Sequence, residues 1–105
     1  MPLRDEIAEL LRMPEDGAGA PTLDHIESTL TDGYAAKHAL EAERWRIERR
    51  LGEVARDGED GAQRRELSRL SRQLETAEGE LVRLRTLLHR LQNVRRRRRA
   101  AAPAG

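Results

Sequence analysis

Two apolar stripes with the same spacing lie on either side of a turn rich in glycine and acid. The first runs Leu23, Ile26, Leu30, Gly33, Lys37, Leu40, Arg44, Ile47, Leu51, Val54. The second runs Leu67, Leu70, Leu74, Ala77, Leu81, Leu84, Leu88, Leu91. Steps that alternate between three and four residues trace the seam of a left-handed coiled coil. Between the stripes, Asp57, Gly58, Glu59, Asp60 and Gly61 interrupt any helix. Folding the chain there sets Leu51 against Leu67, Ile47 against Leu70, Leu40 against Ala77, Leu30 against Leu88 and Ile26 against Leu91, without stagger. Gly33 then falls opposite Leu84. The pattern predicts an all-α fold: an antiparallel two-helix coiled-coil hairpin over residues 22–99, with helices 22–56 and 62–99 and an acidic turn at 57–61.

Composition supports long helices over a compact enzyme. Charged residues make up 37% of the 105-residue chain, and one Trp, one Tyr and no Phe leave leucine to carry burial. Such a charge content also suits a disordered chain. The concentration of apolar residues on one face argues against disorder between residues 22 and 94. The net charge of +1 points to no class of partner by itself. Cysteine is absent, which excludes a disulfide framework and thiol chemistry. No segment approaches the ~20 apolar residues of a membrane span, and the first residues lack the apolar core of a signal peptide. The expectation is a cytoplasmic protein. The preference for arginine over lysine (Lys37 is the only lysine) suits a GC-rich bacterial genome.

Residues 1–12 read as a short amphipathic helix, with Leu3, Ile7, Leu10 and Leu11 on one face and Pro2 in the tolerated first turn. Such a helix is too short to stand alone in water, where about 12–15 residues are needed even in good sequences. It must dock. Residues 13–21, with Pro14, Gly17, Gly19 and Pro21, form a linker. Thr22 suits the N-cap of the next helix. Thr31, Asp32 and Gly33 weaken that helix, and Gly33 marks either a close approach of two backbones or a kink. Residues 100–105 form a flexible tail.

Leu87 and Val94 widen the apolar stripe near its open end to about three positions in seven. A two-stranded contact needs only about two in seven. Either the first helix completes a three-helix arrangement there, or a second copy makes a dimeric bundle.

Several residues are candidates for function. Tyr34, His38 and Trp45 share a ridge beside the seam, and Trp45 is placed outward among Arg44, Arg46 and Glu48. An outward Trp is a candidate interface anchor. It can equally pack on arginine stems by cation–π contact. With Leu87 and Val94, these form the expected protein-binding set. Tyr34 lies within reach of the first helix. Trp45, roughly 35 Å from Thr22 at ~1.5 Å per residue, does not.

Arg95, Arg96, Arg97, Arg98 and Arg99 form an unbroken basic run. Five guanidinium groups can neutralise several phosphates, giving sequence-independent and salt-sensitive nucleic-acid binding. An anionic membrane surface is an equal match, and the run also suits the negative pole of a helix dipole. No aromatic residues are interleaved with it to stack bases. The three histidines, His25, His38 and His89, have no metal-ligand spacing. No Gly-rich phosphate loop or positioned nucleophile is present, and no cofactor is expected. The reading excludes an enzyme.

Asp57, Glu59 and Asp60 crowd the turn. They make either a soluble turn beside a helix N-terminus or a presented acidic tip. In hairpin shape and these three acids the chain resembles the Gre-type and DksA-type transcription factors, which insert an acidic coiled-coil tip into the secondary channel of RNA polymerase. The resemblance extends to no longer motif, and the zinc cysteines of those families are absent here. The function expected from sequence is a non-catalytic coiled-coil scaffold or adaptor that binds protein partners through helix faces, with homodimerisation included. The alternative is a nucleic-acid- or RNA-polymerase-associated accessory protein using the arginine run and the acidic tip.

Overall fold

The structure, a computed structural model, describes residues 2–57 and 60–101. They form three α-helices and no strand: α1 (Pro2–Arg12), α2 (Leu23–Arg56) and α3 (Gly61–Ala101). The fold is all-α, as the heptad pattern predicts. The bounds of α1 and α2 match the sequence reading. Helix α3 begins one residue earlier than expected and continues through Ala100 and Ala101, the first residues of the expected tail. No helix among the described residues is long and apolar enough to cross a membrane.

Capping explains where the helices begin. The Thr22 hydroxyl accepts the His25 amide at 3.1 Å, and the Thr22 carbonyl accepts the first helical amide, Ile26, at 3.0 Å. Asp60 and Gln63 cap α3 reciprocally. The Gln63 amide donates to Asp60 Oδ1 at 2.8 Å, and the Asp60 amide donates to Gln63 Oε1 at 3.1 Å. This is a capping box, which satisfies two otherwise orphaned donors. Gly17 takes a positive φ of 84° in the linker, a conformation that glycine enters without steric cost.

The chain divides into two compact units. One contains residues 1–37 and 83–105, and the other residues 38–82. The first is a three-helix unit. Its buried residues come from α1 (Ile7, Leu10), α2 (Ile26, Leu30) and α3 (Leu84, Leu88, Leu91, Val94). Here α1 docks within its own chain. Ile7 is fully buried, and the Glu6 carboxylate lies 3.9 Å from His25 Nε2 of α2.

Gly33 shows why α2 carries a glycine where helix propensity disfavours one. The helix is continuous through it. A Cβ at this position would overlap Leu88 Cδ2 and would lie 3.6 Å from Ile7 Cδ1. The close approach expected at Gly33 is therefore present, but its neighbour is Leu88 and not Leu84. Helical side chains lean toward the N-terminus of their own helix, so a spot is covered by a residue that lies C-terminal to it. That lean brings Leu88 onto Gly33.

The second unit is built from two helices only. Ile47 and Val54 of α2 pack with Leu70 and Ala77 of α3, and Leu51, Leu67 and Leu74 join them partly buried. The Gln63 side-chain amide donates to the Val54 carbonyl at 3.3 Å, and Arg50 faces Glu66 at 3.8 Å. Residue numbers rise along α2 as they fall along α3, so the two helices run antiparallel in this unit.

Candidate functional site

The arginine run occupies the last two turns of α3, where cations favour the carbonyl end of the helix dipole. Expected from sequence as a basic tail available to phosphates, it is built into the three-helix unit. Arg95 and Arg99 are four residues apart and so lie on one face of α3. Both donate to the same oxygen, Glu27 Oε2, at 3.0 and 2.6 Å. Arg98 lies beside them and donates to the Pro21 carbonyl at 2.5 Å. Arg97 grips Glu15 of the linker with two donors, Nε at 3.0 Å from Oε2 and an Nη on Oε1. Arg96 turns back to the Asn93 side chain. Each of the five arginines therefore has a partner in its own unit, and three of them reach the linker or the first turns of α2.

This clasp explains how nine linker residues containing two glycines and two prolines are held in place. It also sets the local electrostatics. The Arg97 hydrogen bond holds the Glu15 carboxyl below the usual glutamate range. Hydrogen bonds from Arg99 and then Arg95 do the same to Glu27. Reciprocally, Glu15 raises the Arg97 guanidinium. A depressed carboxyl value means that the stabilisation is fully present above the unfolded glutamate range and is lost as pH falls through the folded values. These groups are solvent-accessible, so the effect is also screened by salt.

A paired measurement checks this linkage. Glu15→Gln/Glu27→Gln is expected to melt below the wild type at neutral pH. The gap should close as pH falls below the glutamate range, where the wild-type carboxyls become neutral. A gap that persisted unchanged into strong acid would show that the ion pairs are not its source.

The other candidates are spread over both units. Trp45 is 58% exposed, with the Arg49 guanidinium 5.4 Å from its ring centroid. The outward placement and the cation–π contact expected from sequence are both present, with Arg49 as the cation. His38 is exposed, its Nδ1 3.7 Å from Glu41. In the three-helix unit, Tyr34 is exposed, with Lys37 Nζ 6.0 Å from its ring. It lines a shallow depression with Arg85, Leu88, His89 and Gln92. The α2 residue that Ile7 of α1 approaches is Gly33. Leu87 is half-buried and Val94 is buried at 9% exposure, so the open-end stripe is largely consumed within the unit.

At the turn, Asp57 is exposed and donates its amide to the Val54 carbonyl at 3.2 Å. Asp60 is engaged as the α3 cap. The third acid of the expected tip, Glu59, lies outside the described residues. Among the described residues, no group of three or more His, Asp or Glu is placed to hold a metal ion.

Sequence reasoning missed the capping box and the partners of the arginine run. The first had a signal, Asp followed three residues later by Gln. The second had none, because Glu15, Pro21 and Glu27 are remote in sequence from residues 95–99. Comparison with family models, curated proteins and solved structures finds no match to this chain.

Proposed function

We propose that the chain is a non-catalytic scaffold or adaptor, built on a coiled-coil hairpin, that engages a protein partner through helix faces of the two-helix unit. The observation that carries this reading is Trp45. A tryptophan more than half exposed, with its ring under an arginine, presents the residue types that dominate binding hot spots. His38 lies two helical turns away on the same helix. The remaining expected contact residues, Leu87 and Val94, are less accessible. Trp45→Ala is the test. Co-purifying proteins are compared quantitatively between wild type and variant, with helicity checked by circular dichroism. The reading predicts that specific partners disappear with the variant. The same partners at the same abundance would remove Trp45 as the anchor.

The nucleic-acid or RNA-polymerase reading keeps one observation in its favour. The Arg97 and Arg99 side chains stay 56% and 55% exposed within the clasp. On this reading, phosphates displace Glu15 and Glu27 from them. Binding to random duplex DNA should then weaken steeply with salt and vanish in a chain ending at Val94. Absence of binding at low salt would remove duplex DNA as the partner.

A further inference from the structure

The two-helix unit leaves one face of its core incompletely covered. A shallow groove of about 470 Å³ runs along that face, with Ile47 of α2 and Ala77 of α3 as its apolar floor. Its charges are sorted along its length. Arg69 and Arg72 line the end toward the start of α3, and Glu80 lies at the other. Because α2 runs antiparallel here, Glu43, N-terminal to Ile47, lies toward the Glu80 end. Gln73 sits between the two sets. From Arg69 to Glu80 the groove spans eleven residues of helix, about 16 Å. Arg69 also holds Glu66 of its own helix at 2.8 Å. The carboxylates of Glu43 and Glu80 and the guanidinium of Arg72 have no ion-pair partner among the described residues.

A groove with acid at one end and base at the other is complementary to itself turned end for end. We propose that a second copy of this chain occupies it, related by a two-fold axis near Gln73. The Arg69–Arg72 end of each copy then meets the Glu43–Glu80 end of the other. Two-fold interfaces are isologous, so each charged contact occurs twice. The pairing turns two helices into four over a core in which Leu51, Leu67 and Leu74 are only partly buried, the bundle geometry such a stripe favours. The three-helix unit has no such need, because α1 already supplies its third helix. The proposal goes beyond the partner reading at Trp45. Residues two apart on a helix do not share a face, so Trp45 stays clear of the groove that Glu43 and Ile47 line.

Two charge-reversal variants of the full chain test it by light scattering and native mass spectrometry. The wild type should have the mass of a dimer at micromolar concentration. Glu43→Arg/Glu80→Arg and Arg69→Glu/Arg72→Glu should each be monomeric, with helicity retained by circular dichroism. Mixed in equal amounts, they should form a dimer containing one copy of each, since attraction is restored at both ends. Trp45→Ala should remain dimeric, which separates this interface from the proposed partner site. A monomeric wild type would overturn the proposal. So would variants that dimerise as the wild type does, or folded variants that fail to pair when mixed.

Discussion

Leu84→Asp abolishes cooperative folding of the three-helix unit. Leu84 is fully buried, in a unit whose core draws Ile7 from α1, Ile26 from α2 and Leu91 from α3. Removing a core leucine costs about 2–5 kcal/mol in lost burial and cavity. An unpaired carboxylate in an apolar site adds a further penalty, or is driven to protonate. A domain of this size has a total stability of about 5–15 kcal/mol, so the sum takes most or all of it. The checking measurement is a thermal melt by circular dichroism. A cooperative transition within a few degrees of the wild type would mean that Leu84 is not enclosed by three helices.

Gly33→Ala and Gly52→Ala should shift stability in opposite directions, although both replace a glycine inside α2. Helix propensity alone favours both, by about 1 kcal/mol each. Gly52 is exposed, and a Cβ there meets nothing within 4 Å, so the gain should appear, worth roughly 4–8 °C in melting temperature if fully realised. At Gly33 the added methyl collides with Leu88, which is buried in the core and is backed by Ile7. Overpacking of that kind costs about 1–3 kcal/mol, which reverses the sign. Leu88→Ala introduced with Gly33→Ala should then cost less than the two single substitutions added together, because the collision is gone. Parallel stabilisation by both glycine substitutions would contradict the observed packing.

These glycines illustrate what was legible in the sequence. Local chemistry reads well. Pro14, Thr22 and the turn acids bound the helices, and the three-four stripe identifies the buried leucines, because both signals lie within a few residues of what they determine. The Asp60–Gln63 cap had the same kind of local signal. Long-range partners were not legible. Heptad counting placed Leu84 opposite Gly33, since it follows backbone register and ignores the lean of side chains along a helix. The arginine run looked free because its acceptors come from the linker and from α2. Their position depends on α1 having docked. Leu87 and Val94 looked like a surface for a partner for the same reason: the helix that shares their unit belongs to the chain itself.

Docking of α1 within its own chain is therefore the claim on which the clasp and the closed three-helix unit depend. Hydrogen exchange of residues 2–12 in the full chain, compared with the isolated peptide and repeated on dilution, tests it most directly. An 11-residue helix on its own is unprotected. The account predicts exchange slowed well below the peptide rate and unchanged by dilution. Exchange at the peptide rate would show α1 undocked, and protection that faded on dilution would place it on another copy. Either result would contradict the account.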